Sequence, residues 1–100
     1  MIQAPVSAVR RSAIVVPDLA AVVEAATKRI VARIAQAPGR IAICLTGGST
    51  PRPVYRRLAE EPYRSTVPWE RIHWFWGDDR FVPLEDERSN AGMACAAFLD

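Results

Sequence analysis

Ile41-Ala42-Ile43-Cys44-Leu45-Thr46-Gly47-Gly48-Ser49-Thr50-Pro51 is the stretch on which the fold turns. Its first five residues are apolar without alternation, the pattern of a strand in a parallel sheet covered on both faces. Two glycines then allow a sharp turn, and Thr50-Pro51 reads as a helix start. The threonine hydroxyl can cap free amides, and a proline loses no hydrogen bond at the first helical position. Strand, glycine turn and helix in that order form the repeating unit of α/β architecture.

Working upstream, Ser12-Ala13-Ile14-Val15-Val16 is β-branched, short and stopped by Pro17, which predicts a strand or the edge of one. Asp18 is placed to cap a helix. From Leu19 onward Val22, Val23, Ala26, Ile30 and Ile34 recur at helical spacing, with Glu24, Lys28, Arg29 and Arg33 on the other side, until Pro38-Gly39 ends the run. Working downstream, a helix is expected over Pro51 to Ala59, with Val54, Tyr55 and Leu58 inward and Arg56-Arg57 on the solvated face. Pro62 and Pro68 bracket a connection. Arg71 to Trp76 is an aromatic-rich strand, with Trp74 and Trp76 packing into the core, and Gly77-Asp78-Asp79-Arg80 breaks it. Ser89 or Asn90 caps a last helix that packs through Met93, Ala94, Ala97 and Phe98.

Three strand-helix units predict an α/β fold, a parallel sheet with crossover helices on both faces. Three strands make only part of a comfortable domain. Residues 1–100 are therefore expected to be the N-terminal part of a single α/β domain that continues beyond Asp100.

Composition narrows the class. Of the 100 residues, 50% are hydrophobic and 24% charged, which is globular rather than disordered. A net charge of +2, from 13 basic and 11 acidic residues, is too weak to imply nucleic-acid binding but is compatible with a small anionic ligand. Cys44 and Cys95 are far apart and lack ligand spacing, so they read as buried thiols and no metal site is expected. Arg10 and Arg11 are not followed by the apolar run and small-residue site of a leader. No apolar stretch approaches the roughly 20 residues of a membrane helix, and a cytoplasmic protein with no membrane partner is expected.

The chemistry concentrates at the carboxyl ends of the strands. Gly47 and Gly48 let the backbone approach a ligand, and the amides and hydroxyls of Ser49 and Thr50 point out of a helix start, an arrangement that attracts an anion. The spacing is neither that of a dinucleotide fingerprint nor that of a nucleoside-triphosphate loop, so a single phosphate group suits it better. In a parallel sheet Thr46–Thr50 and Gly77–Arg80 open onto the same crevice although about 30 residues separate them. Of the adjacent acids Asp78 and Asp79, one at most is expected to face the crevice, and Asp78 is the choice because it directly follows Gly77. Arg80 offers a planar fork for two phosphate or carboxylate oxygens. His73 lies inside a strand, short of the crevice, and is expected to be structural.

These motifs together resemble the family of 6-phosphogluconolactonases and glucosamine-6-phosphate isomerases. They are Leu45-Thr46-Gly47-Gly48-Ser49-Thr50-Pro51, then Trp69, then Phe75-Trp76-Gly77-Asp78-Asp79-Arg80-Phe81-Val82-Pro83, and Ser89-Asn90. The deaminase branch usually reads Asp-Glu-Tyr where this chain has Asp78-Asp79-Arg80, so the arginine favours the lactonase branch, although Asp79 stands where that branch most often has glutamate. The resemblance implies a Rossmann-like sugar-phosphate isomerase/lactonase fold, here incomplete. It implies hydrolysis of 6-phospho-D-glucono-1,5-lactone to 6-phosphogluconate, in the pentose phosphate pathway, with no cofactor. Gly47, Gly48, Ser49, Thr50, Arg80 and Asn90 would bind the sugar phosphate, and Asp78 and Arg80 would serve catalysis. The histidine regarded as the family's general base falls in a Gly-His segment that these 100 residues lack, and it is expected after Asp100. Two alternatives stay open: an amino-sugar-phosphate deaminase or isomerase with Asp78 as the base, and a non-enzymatic sugar-phosphate sensor domain.

Overall fold

The computed structural model describes residues 11–99, so Arg10 and the terminal Asp100 lie outside the described residues. Helix α1 spans Leu19–Gln36, and Asp18 caps it as expected: its extended backbone lets Oδ1 accept from the Ala21 amide at 2.8 Å. One face of α1 is driven into the core by Ile34. Thr27 is fully buried beside it, its hydroxyl satisfied by the Val23 carbonyl at 2.7 Å. The helix ends at Ala37, whose extended backbone is what the following Pro38 imposes, and Gly39 turns the chain at φ 65°.

Strand β1 follows at Ile41–Leu45, then α2 at Arg52–Leu58, a four-residue helix α3 at Tyr63–Thr66, and strand β2 at Ile72–Trp76. The strands pair in parallel with Ile41 opposite Ile72 and Leu45 opposite Trp76, and the Gly77 amide extends the ladder to the Leu45 carbonyl at 3.1 Å. Ser89 caps α4 (Asn90–Ala94), accepting from the Gly92 amide, and the chain continues through a wider π turn over Cys95–Leu99. Ile34, Ile41, Leu45, Tyr55, Leu58, Ile72, Ala94 and Phe98 share one core. Each large aliphatic side chain buried there contributes about 1.5–3 kcal/mol. Trp74 meets Phe98 edge-on at 4.9 Å, and Trp76 packs against the same core, as expected of these aromatics.

The α/β class and parallel pairing stand, while four details differ. Ser12–Val16 is not a strand: a strand needs a partner for its amides, none lies beside this stretch among the described residues, and Val15 is 93% exposed. Only one face of the sheet is covered among the described residues. The other presents Ala42, Cys44, His73 and Phe75, so Cys44 is an exposed thiol and Cys95 is half-buried, not the pair of buried thiols expected. Thr50 does not cap α2. Pro51 takes helical dihedrals itself and occupies the cap position, with no side chain bonded to the helix start. Arg57 is not simply solvated. Its Nε donates to Glu24 Oε2 at 2.8 Å, its guanidinium lies 4.8 Å from the Tyr63 ring centroid, and the Tyr63 hydroxyl donates to Glu24 Oε1 at 2.6 Å. That trio ties α1 to α2 and α3 and holds the Glu24 carboxyl below its ordinary value, chiefly through the Arg57 hydrogen bond.

Candidate functional site

The register of the two strands decides where the chemistry converges. With Leu45 opposite Trp76, residues 46–50 and 77–80 leave the sheet side by side at its carboxyl edge. The first loop is open. Gly48 sits at φ 103°, a conformation that side-chain-bearing residues rarely adopt, and Gly48, Ser49 and Thr50 are all exposed. None of the four successive amides from Gly47 to Thr50 donates to another group among the described residues. At its entrance the Tyr55 hydroxyl accepts from the Thr46 amide at 3.1 Å and donates to the Thr46 carbonyl at 2.8 Å.

The second loop is closed on itself. Asp79 Oδ1 accepts from the amides of Arg80 at 2.8 Å and Asn90 at 2.7 Å, and Oδ2 accepts from the Ala91 amide at 3.2 Å. With Ser89 Oγ taking the Gly92 amide at 2.9 Å and the Ser89 carbonyl taking the Met93 amide at 3.1 Å, every amide in the first turn of α4 has a partner. The Asn90 amide bond, joined by those of Arg80 and Ala91, outweighs partial desolvation and holds the Asp79 carboxyl below its ordinary value.

Asn90 is 6% exposed and joins the two loops. Its Nδ2 donates to the Asp78 carbonyl at 3.1 Å, its Oδ1 accepts from Arg80 Nη1 at 3.3 Å, and a Cβ built on Gly47 would overlap that side-chain amide. Gly47 is therefore small because Asn90 fills the space. Arg80 Nη1 also donates to the Arg88 carbonyl at 2.9 Å, and Arg88 is held in turn by a two-pronged pair with Asp86, at 3.0 and 2.8 Å. The rest of the exposed Arg80 guanidinium, and the exposed Asp78 carboxylate, make no hydrogen bond among the described residues.

The structure thus brings Gly47, Gly48, Asp78, Arg80 and Asn90 to one edge of the sheet, with Ser49 and Thr50 on the same loop. The residues alone favoured Asp78 over Asp79 and gave no role to Asp86 or Arg88. Asp86-x-Arg88 at a helix entrance is the local signal for the last two; Asp79 lies 11 residues before Asn90 and carries no spacing signal. The His73 side chain is exposed on the bare sheet face and makes no hydrogen bond among the described residues, so the structural role expected of that side chain is not seen. A concavity of about 850 Å³ runs along β2 and the Cys95–Leu99 turn, past Trp69, His73 and Phe98, away from the two loops. Among the described residues no group of three His, Cys, Asp or Glu side chains is placed to hold a metal, and no helix is long and apolar enough to cross a membrane.

Residues 17–100 match the family described as glucosamine-6-phosphate isomerases/6-phosphogluconolactonase. A 6-phosphogluconolactonase of Synechocystis sp. is 47% identical over 74 residues, covering 74% of this chain and 29% of the relative. One from Nostoc sp. is 39% identical over 89 residues, covering 86% of this chain and 35% of the relative. The solved 6-phosphogluconolactonase from Trypanosoma cruzi superposes with a TM-score of 0.75 at 35% identity, over 86% of this chain and 34% of that one. The chain spans about a third of the length of these relatives.

Proposed function

The chain belongs to the glucosamine-6-phosphate isomerase/6-phosphogluconolactonase family, and from that premise we propose that it is the N-terminal part of a single α/β sugar-phosphate-binding domain, continuing beyond Asp100, that hydrolyses 6-phospho-D-glucono-1,5-lactone to 6-phosphogluconate. The observation that carries this reading is the pairing of four open amides at Gly47–Thr50 with a pre-oriented Arg80 at the same sheet edge. In this assignment Gly47, Gly48, Ser49 and Thr50 cradle the phosphate, Arg80 binds substrate oxygens through the free side of its fork, and Asp78 orients the sugar. Asn90 acts from behind, holding Arg80 against the first loop.

The chemistry follows from what a lactone requires. It is an activated ester, so hydrolysis needs a base for water and donors for the oxyanion that develops at the carbonyl carbon, but no covalent nucleophile. Anchoring the remote phosphate converts binding energy into placement of that carbonyl beside the water. Neither acid of the second loop suits the base. Asp79 is fully engaged by three backbone amides and titrates below its ordinary value, and Asp78 is assigned to orienting the sugar. We assign the base to a residue beyond Asp100, and the whole enzyme to the cytoplasm.

The deciding experiment assays the full-length protein on freshly generated 6-phosphogluconolactone, corrected for spontaneous hydrolysis, beside an ammonia-release assay on glucosamine 6-phosphate. Lactone turnover without ammonia release is expected. The reverse result moves the chain to the deaminase branch.

A further inference from the structure

Resting on the lactonase reading, we infer that Tyr55 is a positioning residue for the anion loop, one that sets selectivity for the phosphorylated substrate without touching it. Successive residues of a strand aim their amide groups at opposite edges, and the Leu45 carbonyl is taken by Gly77 on the β2 side. Thr46 therefore aims its N–H and C=O at the edge of β1 away from β2, where no strand lies among the described residues. A single phenol satisfies both groups, at 3.1 and 2.8 Å.

That phenol belongs to α2, the helix into which the loop runs. The loop leaves the sheet at Thr46 and returns to the helix that carries Tyr55, so one hydroxyl ties its entrance to its exit and fixes the separation across Gly47–Thr50. The ring itself is firmly held, since Tyr55 is 5% exposed and its centroid lies 5.2 Å from that of Phe98. Removing only the hydroxyl keeps this packing and leaves two backbone groups of Thr46 without partners. The freed loop then has to be ordered by the ligand, a cost that falls on binding the phosphate and not on the reaction at the remote carbonyl.

The test is Tyr55→Phe in the full-length enzyme, assayed on 6-phosphogluconolactone and on non-phosphorylated gluconolactone. The expected result is a KM for the phosphorylated lactone raised about tenfold, with kcat altered less than about twofold, so that the kcat/KM ratio between the two substrates falls about tenfold. A preserved ratio, whether both activities survive or both decline together, overturns the inference. Should wild-type protein hydrolyse neither lactone, the lactonase reading fails by itself. Titration of wild type and Tyr55→Phe with inorganic phosphate then decides on Tyr55: weaker binding in the variant upholds it, and equal binding overturns it.

Discussion

The two loops at the sheet's carboxyl edge solve the same electrostatic problem in opposite ways. Both precede a helix, and both expose amides that need acceptors. The Gly77–Asn90 loop brings its own anion: Asp79 takes three amides, and nothing at the start of α4 remains for a ligand. The Gly47–Thr50 loop brings none, and its four amides have no acceptor among the described residues. A self-satisfied loop holds its own shape and, in the proposed assignment, presents Asp78 and Arg80 as fixed tools. An unsatisfied loop offers its backbone to whatever anion arrives. The contrast teaches that backbone donors and side-chain donors were divided between the two loops, and Asn90 against Gly47 keeps the division in register.

The largest expected effect comes from breaking that junction. In Gly47→Val the new side chain must occupy the space of the Asn90 amide, and overpacking of this kind costs about 1–3 kcal/mol. Thermal unfolding of the full-length protein should shift down by roughly 2 °C or more, and its calorimetric titration with 6-phosphogluconate should give no heat of binding. Native affinity in this variant would separate the loops again and dissolve the comparison.

Next in size is Arg80→Lys. Lysine keeps the charge but cannot hold Asn90 and the Arg88 carbonyl with one arm while offering two parallel donors with the rest. The expected loss is about ten- to a hundredfold in kcat/KM, with the unfolding midpoint little changed. Wild-type kinetics in a folded variant would leave Arg80 as a brace for the second loop only.

Asp79→Asn sharpens the contrast by removing the resident charge while keeping its shape. One amide oxygen can still accept, but the new NH₂ faces amides that need an acceptor, so kcat/KM should fall about three- to tenfold, less than for Arg80→Lys. The pH dependence has a definite sign. Asp79 titrates lower in the folded protein than when unfolded, so its stabilisation is present above the ordinary carboxylate value and is lost as pH falls through the depressed folded value. Wild type should therefore melt higher than Asp79→Asn at neutral pH. The gap should close only below about pH 4, and a constant gap across that range would assign Asp79 a packing role instead.

How legible this was from residues follows from the range of each interaction. The parallel pairing, the Asp18 cap, a last cap at Ser89 or Asn90 and the shared sheet edge of residues 46–50 and 77–80 rest on local signals plus one topological rule, and they could be read directly. Ser12–Val16 has strand propensity, but propensity supplies no partner. Thr50 before Pro51 looks like a cap, yet Pro51 can adopt helical dihedrals and take the position itself. The Asp79 clasp and the Glu24–Arg57–Tyr63 trio join residues 11 to 39 positions apart, with nothing in the intervening spacing to announce them. Choosing between two adjacent acids therefore required the fold.

The smallest expected effect tests the comparison from the opposite side of the sheet. His73 is the one histidine in the chain, and at neutral pH a histidine is the usual base for activating water, so it is the natural rival to a base beyond Asp100. Its position argues against it. It pairs with Ala42 towards the amino end of the ladder and lies exposed on the bare face with Phe75, while the alternate residues Ile72, Trp74 and Trp76 turn to the core. Gly77 lies four residue steps further along the chain, about 13 Å at roughly 3.3 Å per strand residue, well outside hydrogen-bond reach of a water held beside Arg80. With no hydrogen-bond partner to lose, His73→Ala should also leave stability within about 0.5 kcal/mol. Turnover by full-length His73→Ala should stay within about twofold of wild type across neutral pH. A folded His73→Ala enzyme that has lost turnover would place the base inside these 100 residues, and the reacting face of the sheet would then be the bare one rather than the edge where the two loops meet.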